Sequence, residues 1–208
     1  MTSARQIVKI LQQTYPHAKC SLHFQNPWQL LVATILSAQC TDKRVNLVTP
    51  GLFQRFSSPH ALASADIHEI EERIRSTGFY HHKAKAIQAA SRMIVEKFHG
   101  RVPHTMEELL ELPGVARKTA NVVLGTAFHK PEGVVVDTHV KRLSFRLGFT
   151  KHTDPVKIEK DLMKLFPQKE WTPLAFLLID HGRNICTAKS ASCAECPLNK
   201  LCPSAFKV

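Results

Sequence analysis

Four cysteines, Cys186, Cys193, Cys196 and Cys202, close the 208-residue chain in a C-x6-C-x2-C-x5-C array. In a reducing compartment thiols packed this closely ligate metal far more often than they pair as disulfides. Such a compartment, the cytoplasm, is the expectation here, because Met1-Thr2-Ser3-Ala4-Arg5 leads into an amphipathic segment and not into the apolar core of a signal peptide. Thiolates suit both tetrahedral zinc and iron-sulfur clusters. Zinc sites usually come as two C-x2-C claws, whereas this array has a single claw, with Pro197 and Pro203 stopping helices just after two of its ligands. The spacing favours a 4Fe-4S cluster, with zinc as the alternative.

A second pattern is Leu112-Pro113-Gly114-Val115-Ala116-Arg117-Lys118-Thr119-Ala120, set between two helical stretches. Pro113 ends the first helix and Gly114 permits a tight turn, so the second helix is expected to begin near Val115 with its backbone N–H groups unused. Those donors and the positive end of the helix dipole make a phosphate socket, which assigns Gly114, Val115, Ala116 and Arg117 to a nucleic-acid backbone. Lys118 falls in the first turn of that helix. The dipole there disfavours an ammonium and partial burial in a cleft would add to this, leaving the neutral amine that a nucleophile requires. Asp137 follows in Val134-Val135-Val136-Asp137-Thr138-His139-Val140. Its carboxylate can stabilise a cationic transition state and take a proton from an attacking amine or water, and it can also cap a helix. His139 beside it either faces a nucleic acid or serves packing.

These residues need a frame, and the frame reads as helical. Asn26-Pro27 opens the apolar run Trp28 to Leu36; Asp66 with Glu69 and Thr105 with Glu108 fit capping boxes; Asp154-Pro155 and Thr172-Pro173 give two more cap-then-proline starts. The only β-branched run is Val134-Val135-Val136, too short to establish a sheet. The expected class is all-α. Leu30 to Leu36, the longest apolar stretch, is far short of the roughly 20 residues needed to span a membrane. Twenty-eight Lys and Arg against seventeen Asp and Glu leave a net charge of +11, which points to a polyanion. The excess is greatest in residues 81–151, with 12 positive and 6 negative side chains, the region that holds Lys118 and Asp137.

L-P-G-V-x-R-K-T-A, V-D-T-H-V, the cysteine array and Leu36-Ser37-Ala38-Gln39-Cys40-Thr41-Asp42 together resemble the endonuclease III family of DNA glycosylases, over nearly the whole chain. The resemblance implies two helical lobes with a DNA cleft between them: a helical barrel over 21–132 carrying a helix-hairpin-helix at about 105–125, and a cluster lobe joining 1–20 to 133–208 with its loop at 186–202. It implies a base-excision repair enzyme, acting on oxidised or ring-damaged pyrimidines in double-stranded DNA and on abasic sites. Lys118 would attack the sugar C1′ carbon as the base leaves, and β-elimination from the Schiff base would cut the strand. Gln39 matches the residue that enters the gap left by an extruded base, and Phe79, in Gly78-Phe79-Tyr80, the wedge on the other strand; a plain helix end for Gln39 and a core aromatic for Phe79 are the alternatives. An extruded base costs a few kcal/mol in stacking and pairing.

One position departs from the family pattern, since Ala116 stands where a second glycine is usual. The cluster is expected to staple its loop, not to do chemistry, leaving Arg183, Lys189 and Lys200 to meet phosphates. Cys20 and Cys40 receive no role. A monomer working at the bacterial nucleoid is the implied state. A monofunctional glycosylase and a non-catalytic metal-containing DNA-binding protein stand as the alternatives.

Overall fold

A computed structural model describes residues 3–208. Met1 and Thr2, the start of the segment read as lacking a signal peptide, lie outside them. In chain order the helices are α1 (Ser3–Thr14), α2 (Pro27–Leu36), α3 (Asp42–Arg55), α4 (Pro59–Ala63), α5 (Ile67–Ile74), α6 (Tyr80–Glu96), α7 (Met106–Glu111), α8 (Arg117–Ala127), α9 (Thr138–Arg146), α10 (Pro155–Leu165) and α11 (Trp171–Asn184). The fold is all-α. Val134-Val135-Val136 is neither helix nor strand, and the β-type pairing among the described residues is an isolated bridge between Cys186 and Ala191.

Several starts are where side-chain chemistry puts them. Asn26 Oδ1 accepts from Gln29 N at 2.9 Å ahead of Pro27, and Asp154 Oδ1 accepts from Lys157 N at 3.0 Å ahead of Pro155. Each bond satisfies one of the backbone donors that a helix start leaves without an intrahelical acceptor. Thr105 Oγ1 accepts from Glu108 N at 3.3 Å and donates to the Glu108 carboxylate at 2.9 Å. Two expectations are corrected. Asp66 does cap α5, through His68 N at 2.7 Å, but Glu69 does not complete a capping box, because Arg55 captures its carboxylate at 2.5 Å. Thr172-Pro173 is not a helix start either: α11 begins at Trp171 and is preceded by Glu170, with no side-chain cap. Pro173 sits in the first turn, where its missing N–H breaks no intrahelical bond.

The chain divides into two compact units, one of Ser21–Lys130 and one of Met1–Cys20 with Pro131–Val208. Within Ser21–Lys130, α2 packs against α3, α6 and α8. It is enclosed all round, which is why every residue from Trp28 to Leu36 is buried. At about 1.5–3 kcal/mol for each large apolar side chain taken out of water, this helix is the main anchor of its unit. In the other unit α1 turns Ile7, Val8 and Leu11 inward and packs on α11, which also packs on α9.

Candidate functional site

The hairpin between α7 and α8 is set by its turn. Leu109, Leu112 and Val115 are buried, and Val115 N donates to Leu112 O at 3.1 Å. Between them Gly114 adopts φ +77°, and a Cβ there would stand 2.9 Å from the Ala86 Cβ. Only glycine meets both demands, the left-handed backbone and the close approach of α6. The second helix begins two residues later than expected, at Arg117 with Ala116 as its N-cap, and no side chain caps it. Val115 is consequently a packing residue whose side chain faces the core. Ala116, Arg117 and Lys118 are exposed. That corrects the expected partial burial of Lys118: the second residue of α8 turns its side chain away from the core that Ala120 and Val123 enter.

In the other unit Asp137 is the N-cap of α9, with Oδ1 accepting from Val140 N at 2.8 Å. The cap fixes the carboxyl group against a helix start, while the buried Val134 and Val135 fix the segment that leads into it. His139 is half-buried, with Nδ1 3.3 Å from Arg142 Nη2. Both side chains pack where α9 meets α11 at Gly182, whose missing Cβ would lie 2.9 Å from His139 Nδ1 and 3.0 Å from Arg142 Nη2. His139 thus has a packing role in the structure.

Gln39 and Phe79, both in Ser21–Lys130, share a backbone property that their residue types do not announce. Gln39 has φ +51° and Phe79 has φ +49°, in the left-handed region where a non-glycine side chain is strained. Both are exposed, Phe79 to 63%. Phe79 is therefore no core residue, and Gln39 lies beyond the end of α2 at Leu36, in a tight link closed by Cys40 N to Ser37 O at 3.1 Å.

The four cysteines of the C-terminal array line one pocket together with Arg146, His181 and Leu198. Each thiol is half-buried, and no disulfide joins them. Polar groups from α9 and α11 converge on them. Arg146 Nη1 lies 3.1 Å from Cys186 Sγ, Arg142 Nη2 donates to Cys186 O at 2.9 Å and to Gly182 O at 2.9 Å, and His181 Nε2 lies 3.5 Å from Cys196 Sγ. Tyr15 of α1 completes a chain, its hydroxyl 3.1 Å from His181 Nδ1. Burial pushes the His181 imidazole down to about 4, so near neutral pH the ring is neutral and one nitrogen donates while the other accepts. Burial also pushes the Cys196 and Cys202 thiols up, and the neighbouring cysteines add to it. Four thiolates in one pocket repel one another unless a cationic centre is bound among them. Among the described residues no three Cys, His, Asp or Glu side chains converge closely enough to hold a lone ion. Tyr15, Arg142, Arg146 and His181 carried no motif signal; only the fold brings them to the thiols.

The superfamily described as HhH-GPD base excision DNA repair proteins matches residues 32–168. Endonuclease III of Synechocystis sp. is 63% identical over 202 residues, covering 97% of this chain and 92% of that one. Endonuclease III of Bacillus subtilis is 48% identical over 189 residues, covering 90% and 86%. Among solved structures, a trapped endonuclease III–DNA covalent intermediate superimposes with a TM-score of 0.92 at 43% identity, covering 100% of this chain and 98% of the other. A thermostable thymine-DNA glycosylase shares the fold, with a TM-score of 0.86 at 22% identity and coverage of 99% and 98%. The chain belongs to the endonuclease III family. It is accordingly an enzyme of base-excision DNA repair.

Proposed function

We propose that the protein is a DNA glycosylase and abasic-site lyase that uses Lys118 as its nucleophile, Asp137 as its carboxylate, and oxidised or ring-damaged pyrimidines as substrates. The observation that carries the assignment is the exposed Lys118 amine in the uncapped first turn of α8, directly after the turn that Gly114 enforces. Backbone donors at that helix start would hold a DNA phosphate, bringing a deoxyribose within reach of the amine. The nucleic-acid partner fits the net charge of +11. It also fits the solved relative, an endonuclease III covalent intermediate trapped on DNA.

The chemistry balances as follows. The C1′–N bond breaks and its electron pair leaves with the base. The Lys118 lone pair forms a C1′–N bond, and the amine proton passes to the Asp137 carboxylate. Opening of the sugar ring gives a protonated imine. Loss of a C2′ proton then expels the 3′ phosphate with its electron pair, and water hydrolyses the imine to release Lys118. Borohydride reduction during turnover tests this. A covalent protein–DNA adduct is expected from the native protein and none from Lys118→Ala; an adduct that persists in Lys118→Ala overturns the assignment. A panel of duplexes carrying one modified base each tests the substrate class, scored separately for base release and strand cleavage.

For the thiol pocket we propose a 4Fe-4S cluster on Cys186, Cys193, Cys196 and Cys202. Four thiolate donors around one pocket, in a C-x6-C-x2-C-x5-C array with a single short claw, fit a multi-atom cluster better than lone zinc. Such a cluster would supply iron–thiolate bonds that fix the loop carrying Lys189 and Lys200. Arg146 and His181 would donate to two of the coordinating sulfurs. We place the protein in a reducing bacterial cytoplasm at the nucleoid, acting as a monomer, a setting that suits thiolate ligands and a DNA substrate.

A further inference from the structure

Lys83 is a buried amine that the repair chemistry leaves without a task. It lies in the first turns of α6, only 6% exposed, and its Nζ donates to Thr77 O at 2.7 Å. Thr77 is buried too, its Oγ1 donating to Ile74 O at 2.8 Å. The next two residues are Gly78 at φ +70° and the exposed Phe79 at φ +49°.

Two features of Lys83 run against folding. Burial of an amine is costly unless it is hydrogen-bonded, and it sits near the positive end of its own helix. Burial pushes this amine down, while the Cys40 thiol nearby pulls the other way. Cys40 is also the residue that follows Gln39. One buried side chain therefore neighbours the segments of Gln39 and of Phe79, two of the left-handed positions in this unit. Left-handed backbone at a non-glycine residue is strained and persists where the surroundings over-determine it. The hydrogen bond from Lys83 to Thr77 O is such a constraint, applied just before the strained residue.

We propose that Lys83 is a positioning residue for base extrusion: its bond to the Thr77 carbonyl locks the Gly78-Phe79 turn in the left-handed form that displays the Phe79 ring, beside the segment that displays Gln39. The inference rests on the reading of the protein as a glycosylase that empties a base from the stack, and it adds a requirement to it. Without the tether Phe79 relaxes toward ordinary backbone angles and the ring leaves its wedge position. Opening a paired lesion then slows, whereas a lesion already unpaired has no need of the wedge.

The test compares native protein, Lys83→Met, which keeps the length and loses the donor, and Lys83→Gln, whose amide still donates. Each acts on an oxidised pyrimidine in a full duplex and on the same base inside a mismatched bubble. For Lys83→Met the single-turnover rate on the paired lesion is expected to fall about tenfold while the bubble rate stays within about twofold. Lys83→Gln is expected to regain part of the loss, and 2-aminopurine placed beside the lesion should brighten more slowly with Lys83→Met. Equal losses on paired and unpaired substrates show general damage to the fold and overturn the proposal. Unchanged rates on both overturn it as well. Failure of the native protein to release any base overturns the glycosylase reading itself, and is recognised from the native protein alone.

Discussion

The hairpin between α7 and α8 and the loop after α11 each present polar groups at a helix end, but they are held by opposite means. The hairpin is fixed by apolar packing on its inner face: Leu109, Leu112, Val115 and Ala120 are buried and Gly114 presses on Ala86. Among the described residues from Cys186 onward only Leu198 is fully buried. That loop is fixed instead by bonds to its carbonyls and sulfurs from Arg142, Arg146 and His181. Packing against a core needs nothing beyond the chain itself. A loop with one apolar anchor depends on what its thiols bind.

The largest effect should come from altering the chemistry of the hairpin and leaving its frame alone. Lys118→Ala is expected to lower strand cleavage on the order of 10^3-fold or more. Its melting temperature should match that of the native protein, because the side chain is exposed. A large drop in melting temperature would show that the amine belongs to the frame. Next comes the loop. Cys196→Ser should speed amide exchange across 186–202 by at least about 100-fold while α2 keeps its protection, as measured by mass spectrometry. Equal loosening of both regions would erase the contrast.

Gly114→Ala attacks the frame itself, forcing a methyl against Ala86 in a left-handed backbone. A loss of about 3 kcal/mol in unfolding free energy is expected, and urea titration checks it. Phe79→Gly should act in the opposite sense, raising stability by about 1 kcal/mol as backbone strain is relieved while excision of a paired lesion falls.

The smallest effect concerns acid stability. A hydrogen bond from His81 at 2.8 Å, with His68 nearby, holds the Glu71 carboxyl below its ordinary value of 4.5. A carboxyl lowered in the folded state stabilises above its unfolded value, and that stability is lost as pH falls below 4.5 through the lowered folded value. Glu71→Gln should therefore flatten the acid limb of a plot of melting temperature against pH. Parallel limbs would remove the pair from the account.

Much of the frame was legible because it is written locally. Asn26, Thr105 and Asp154 cap where their side-chain oxygens reach a backbone donor within three residues, and such reach is a property of sequence. Glu69 and Thr172-Pro173 misled because Arg55, fourteen residues from Glu69, outbid the local bond, and because a first-turn proline looks alike whether or not the residue before it caps. Lys118, Asp137 and the cysteines stood out through motif spacing. The left-handed angles at Gln39 and Phe79 did not, since neither residue type favours them. Lys83 and the Tyr15–His181–Cys196 chain were silent because their partners are chosen by the fold, in one case 166 residues away.

The unit that holds the thiols is assembled from both sides of the other one, since α1 precedes Ser21–Lys130 in the chain and its partner α11 follows it. A ribosome must therefore synthesise all of Ser21–Lys130 before α1 meets the helix it packs on. Any nascent chain that stalls before α11 leaves Ile7, Val8 and Leu11 without that partner, an apolar helix face still uncovered.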